Sequence, residues 1–179
     1  GLTSSPEVSG YPYGLKFWGS QEDDTKGSYG AWWPYEQTGY WIDGALKCGY
    51  LAGDDGLYQQ ALEEVDFAVD HAAPDGFIGP DSLREKDRWP HAVFFRAVLA
   101  QYEISGDPRY LEALIRHYQA VPHPMGWDRD VTGVEILLQL YQECGQAELL
   151  AMAEALVMVL RAGPGGGRLG IDDREISLL

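Results

Sequence analysis

The chain is poor in positive charge and poor in cysteine. Lys and Arg together number 13 against 28 Asp and Glu, a formal net charge of −15. With that balance there is little to neutralise a run of phosphates, so nucleic-acid binding is set aside, and docking on an anionic membrane surface is disfavoured for the same reason. Two cysteines, Cys48 and Cys144, are too few for a disulfide framework and lack zinc-finger spacing. They leave the redox compartment, and with it the localisation, open. No uncharged apolar run reaches the roughly 18 residues that a membrane span needs. Residues 1–13 show no basic stretch followed by an apolar one, so no signal peptide is read there. A P-loop, a dinucleotide fingerprint and a nucleophile elbow are all missing.

What is present is enough for a core. Of 179 residues, 45% are hydrophobic and 12% aromatic, too apolar for a disordered acidic tail and sufficient for one domain. Residues 1–31 are rich in Gly, Ser and Tyr, with an acidic run at Glu22, Asp23 and Asp24. They read as an irregular segment with a short extended piece at Tyr13–Trp18. Residues 32–161 carry helical periodicity, and 162–179 form a Gly-rich tail.

Six helices are predicted. The first runs from Tyr35, with Trp41, Ile42, Ala45, Leu46 and Gly49 on one face and Pro34 suited to its first turn. The second buries Tyr58, Ala61, Leu62, Val65, Val69 and Ala72. The third starts at Pro90 and is apolar almost all round from Ala92 to Ala100, with Arg96 its one charge there. Asp107 and Pro108 cap the fourth, which buries Tyr110, Leu111, Leu114, Ile115 and Tyr118. The fifth spans about Val131 to Glu143, with Thr132 and Glu135 at capping-box spacing. The sixth runs from Ala147 to about Arg161.

A tyrosine, a short turn with glycine, and then an amphipathic helix occur three times, at Tyr50…Gly53, Tyr102…Gly106 and Tyr141…Gly145. Three αα-hairpins follow from that repeat. Helices one, three and five have few charges and are expected inside; helices two, four and six are expected to face water. The fold class is therefore all-α, an αα-hairpin array of about six helices. A plain solenoid of the tetratricopeptide kind has the same periodicity.

The chemistry collects at the segments that enter the inner helices. These read WWPYE (Trp32–Glu36), DRWPH (Asp87–His91) and GWDRD (Gly126–Asp130). Alternating hairpins put the three inner N-termini at one rim. Flat aromatic rings stack on the C–H faces of a sugar while carboxylates, His and Arg hold its hydroxyls, so Trp32, Trp33, Glu36, Trp89, His91, Trp127 and Asp128 are the candidate substrate-binding residues. The competing reading makes each Trp a packing staple and each charge a cap. His91 is either a locally satisfied histidine or a substrate contact. His71, His117 and His123 read as surface residues, and the four histidines show no metal spacing. Glu36, Asp128 and Asp130 are the carboxylates available for glycosidic acid/base work, which needs a pair roughly 5–9 Å apart; Asp130 serves equally as an N-cap. Cys48 and Cys144 read as small core residues.

Taken in order, the stretches WWPYEQTGYWIDGALKCGYLAGD, DGFIGP, RWPHAVFFRAVLAQYEISGDPRYLEAL and GWDRDVTGVEILLQLYQECG resemble the N-terminal half of the catalytic domain of β-L-arabinofuranosidase-like glycoside hydrolases (family 127 and relatives). The resemblance runs from about Trp32 to Arg161. It implies a partial (α/α)6 toroid, a glycoside substrate and a sugar or glycan as ligand, with function carried by analogy. His91 matches a family histidine that contacts the sugar, and Trp32 and Trp33 match an aromatic wall more loosely. The family's cysteine nucleophile, its zinc-binding Glu and Cys residues and its acid/base Glu have no counterpart in this sequence. Neither Cys48 nor Cys144 sits in that motif. No cofactor is therefore expected in this chain, zinc belonging to full-length relatives, and the catalytic residues stay unassigned. Self-association, or completion by the missing half of the toroid, is expected at the open flanks. A helical-repeat scaffold that holds a protein, and another (α/α)6 sugar enzyme working with a carboxylate pair, are the alternative functions.

Overall fold

The computed structural model describes residues 18, 32–79, 83–84, 89–121 and 130–162, the side chains of 32–34, 130–131 and 159–162 excepted. Among the described residues there are six α-helices and no strand: α1 (Trp32–Ala52), α2 (Asp55–Asp70), α3 (Trp89–Ser105), α4 (Pro108–Ala120), α5 (Val134–Cys144) and α6 (Ala147–Ala162). A 3-10 turn, Asp130–Gly133, leads into α5.

The tyrosine–glycine repeat is the hairpin device. Gly53, Gly106 and Gly145 sit at φ 67°, 68° and 69°, a left-handed conformation that costs glycine nothing and other residues about 1 kcal/mol or more. Each glycine N–H donates to the carbonyl of the tyrosine before it: Tyr50 at 3.3 Å, Tyr102 at 2.7 Å and Tyr141 at 2.8 Å. In the first two hairpins an aspartate follows at once and caps the next helix. Asp54 accepts from the Leu57 N–H at 3.1 Å and Asp107 from the Arg109 N–H at 3.0 Å, with Pro108 in the first turn. At Gly49 the α1 and α2 backbones nearly touch, since an added Cβ would lie 2.5 Å from the Tyr58 nitrogen.

Helix α3 is the centre of the molecule. Eleven of its 17 residues are buried, against four in α2 and three in α5. It packs on α1 in ascending register: Glu36 meets Trp89, and at Gly39 even a methyl would sit 3.2 Å from Val93 Cγ1. The two helices therefore run in the same direction. Beneath them Trp18 is fully buried, stacked on Phe94 with ring centroids 4.3 Å apart and edge-on to Tyr35 at 5.4 Å.

Several expectations are corrected here. Helix α4 is more enclosed than an outer helix should be, because the 71–79 loop folds over it: Phe77 stacks on His117 at 4.9 Å and Arg116 donates to the Pro74 carbonyl at 3.4 Å. His117 is thus a core residue, 1% exposed, and not a surface histidine. Cys48 is exposed, because it falls off the Ile42, Ala45, Leu46, Gly49 face that packs inward. Helix α5 begins later than expected, with Gly133 as its N-cap and no side-chain cap there, and Glu135 accepts from Arg96 at 3.2 Å.

Candidate functional site

Two of the three predicted rim segments meet. The Trp89 indole N–H, in the first turn of α3, donates to Glu36 Oε1, in the second turn of α1, at 2.8 Å. The bond spans 53 positions of sequence and fixes the indole plane against a carboxylate. Tyr40, one turn beyond Glu36, stands beside the same indole, with ring centroids 6.5 Å apart and planes at 65°. Tyr40 is 44% exposed, so the corner opens to solvent. The second carboxylate oxygen, Glu36 Oε2, is shielded from solvent and makes no hydrogen bond, and no cation pairs with Glu36 among the described residues.

His91 does not join this corner. It lies two residues after Trp89, and two residues rotate a helix by about 200°, so its ring points the other way. It is 2% exposed, with Nε2 at 2.9 Å from the Ile78 carbonyl, and is surrounded by Trp18, Phe77, Phe95 and His117. The next link is on the same residue: the Ile78 N–H donates to His117 Nδ1 at 2.9 Å. One peptide segment is thus pinned by two histidines from α3 and α4. His117 must present a bare Nδ1 there, so its neutral form carries the proton on Nε2. This is a structural role, and it explains the burial of both rings. Of the other predicted site residues, Trp32 and Trp33 lie in the first turn of α1 with side chains outside the described set. Trp127 and Asp128 lie outside the described residues altogether, as does the side chain of Asp130.

Tyr40 and Trp18 were missed by sequence reasoning. Tyr40 had a signal, its i+4 spacing from Glu36; Trp18 had none, since nothing periodic surrounds it. No group of three or more His, Cys, Asp or Glu among the described residues is placed to hold a metal ion. No helix of the described residues is long and apolar enough to cross a membrane.

A second polar cluster lies between α2 and α4. Arg109 reaches Asp66, Asp70 at 3.1 Å and Asp107 at 3.1 Å, and the Tyr110 hydroxyl donates to Asp66 at 2.7 Å. Burial, and then the bond to Asp66, push the Tyr110 phenol up to about 12. In the 71–79 loop the Phe77 N–H and then Arg84 hold the Asp75 carboxyl below its ordinary range.

Compared with protein-family models, curated proteins and solved structures, the chain matches none of them.

Proposed function

We propose that this chain supplies one wall of a carbohydrate-binding cleft in a glycoside hydrolase of the β-L-arabinofuranosidase-like kind, with the helices forming part of an (α/α)6 toroid. The observation that carries the reading is the Trp89–Glu36 pair. An indole fixed by a carboxylate and flanked by an exposed tyrosine is suited to stacking on one face of a sugar. The wall does not hydrolyse glycosides alone, because a retaining mechanism needs a nucleophile and an acid/base on opposite sides of the sugar. One carboxylate at this corner cannot supply both.

The test is to titrate L-arabinose and an aryl arabinofuranoside into the protein and follow the Trp89 indole N–H resonance. A saturable shift, lost in Tyr40→Ala with the fold intact, supports the reading; an unmoved Trp89 resonance at saturating sugar contradicts it. A protein-binding scaffold is the second reading. Tyr50 and Leu51 favour it, both exposed at the end of α1, Leu51 to 83%.

A further inference from the structure

The 71–79 loop is held shut by a bond that a single protonation removes. Its Ile78 peptide is gripped from both ends: the N–H donates to His117 Nδ1 at 2.9 Å, and the carbonyl accepts from His91 Nε2 at 2.9 Å. The two bonds respond differently to acid, because a histidinium carries a proton on each ring nitrogen. His91 keeps its donor when charged. His117 loses its acceptor, and its new N–H then faces the Ile78 N–H. Both rings are buried, 2% and 1% exposed, so water does not replace the lost bond. Their centroids lie 4.7 Å apart, so a charge on one ring also opposes a charge on the other.

The other titratable or charged groups around the loop act differently. At its start, the His71 Nδ1–H donates to the Phe67 carbonyl at 2.9 Å, a bond that survives protonation. Asp75 accepts from the Phe77 N–H and from Arg84, which hold its carboxyl below the ordinary range, so it stays charged in mild acid. Arg116 donates to the Pro74 carbonyl at 3.4 Å and Arg84 lies over the Phe77 ring at 4.3 Å; a guanidinium keeps its charge throughout. Tyr118 stands edge-on to His117 at 5.6 Å, and a phenol is neutral in acid.

We propose that the 71–79 loop is an acid-released clasp: protonation of His117 breaks its bond to Ile78, and the loop lifts from α3 and α4, uncovering Phe77, Ile78 and both histidines. Closure and protonation of His117 compete. The closed loop is therefore fully favoured above the range of a free imidazole, roughly pH 6.5, and its advantage falls about tenfold per pH unit below it. The inference does not rest on the carbohydrate reading.

The test follows amide hydrogen exchange of the whole chain by NMR from about pH 7.5 to 5, with the His117 ring resonances recorded alongside. Corrected for the intrinsic exchange rate, protection of the Ile78 amide should fall about tenfold per pH unit below roughly 6.5. The Ala73 amide, which donates to the Phe77 carbonyl at 2.8 Å, should follow it. Amides inside α3, such as that of Val98, should keep their protection. His71→Gln should leave the pH dependence in place. His117→Asn puts a non-titrating acceptor near the Nδ1 position and should flatten it. If His117→Asn does not fold, the unmodified chain decides. Ile78 protection that is constant over the range, that is lost only together with that of α3, or that survives titration of the His117 ring overturns the proposal. An unchanged slope in folded His117→Asn, or a slope abolished by His71→Gln, overturns it as well.

Discussion

Two carboxylate clusters join helices that are not neighbours in sequence, and they are built oppositely. Between α2 and α4, Arg109 is shared by Asp66, Asp70 and Asp107, and Tyr110 donates to Asp66. Between α1 and α3, Glu36 has one neutral donor and an oxygen left over. The first cluster gathers three carboxylates on one shared cation. The second keeps a charge and an aromatic corner in reserve. The two thus differ in whether the carboxylate shares a cation, and that difference can be tested by mutation.

The largest effect is expected beneath the open corner. Trp18→Ala removes an indole stacked on Phe94 and packed against Tyr35 and His91, and should cost about 3–5 kcal/mol in chemical denaturation. A cost below about 1 kcal/mol would mean that the α1–α3 pair does not depend on it. Next comes the Arg109 cluster. Arg109→Ala leaves Asp66 and Asp70 without their shared cation, and should cost about 1–2 kcal/mol, limited by the exposure of the pairs. A neutral result would remove the staple from one side of the comparison.

The same cluster has a signature in alkali. The fold favours the protonated phenol of Tyr110, raised from 10 to about 12, so the stability it contributes is complete below pH 10 and is lost as the pH rises through about 12. Melting temperatures across that window should fall less steeply in Tyr110→Phe than in the unmodified chain. Parallel slopes would deny the phenol its part in the cluster.

Much of this framework was legible in the sequence because it is local. The Tyr–Gly–Asp turns are short-range chemistry, and each component does what its residue type dictates: the glycine reverses the chain, the aspartate caps. The run from Ala92 to Ala100 is apolar almost all round because α3 is covered on all sides but that of Arg96. What was hidden is non-local. His117 looks like a surface residue on an amphipathic helix until the 71–79 loop lies over it and Ile78 needs an acceptor for its N–H. Trp18 comes from a stretch without periodicity and finds its partners some 70 positions further on, at His91 and Phe94. Cys48 was misjudged although the register of its own helix excluded it from the packed face. At the site, the composition of the rim segments pointed to Glu36 and Trp89 together, whereas His91, two residues on, is turned by helical geometry into the core.

The smallest expected effect bears hardest on the comparison. If the α1–α3 corner is kept for a ligand, the Glu36 charge adds nothing to folding, and Glu36→Gln should leave the unfolding free energy within about 0.5 kcal/mol of the unmodified chain, or raise it slightly as an unpaired charge is removed. Urea unfolding of the two proteins side by side, without any ligand, reads this out. A loss of about 2 kcal/mol would show that the carboxylate is a structural tie like those of Arg109, and the corner would cease to be a site.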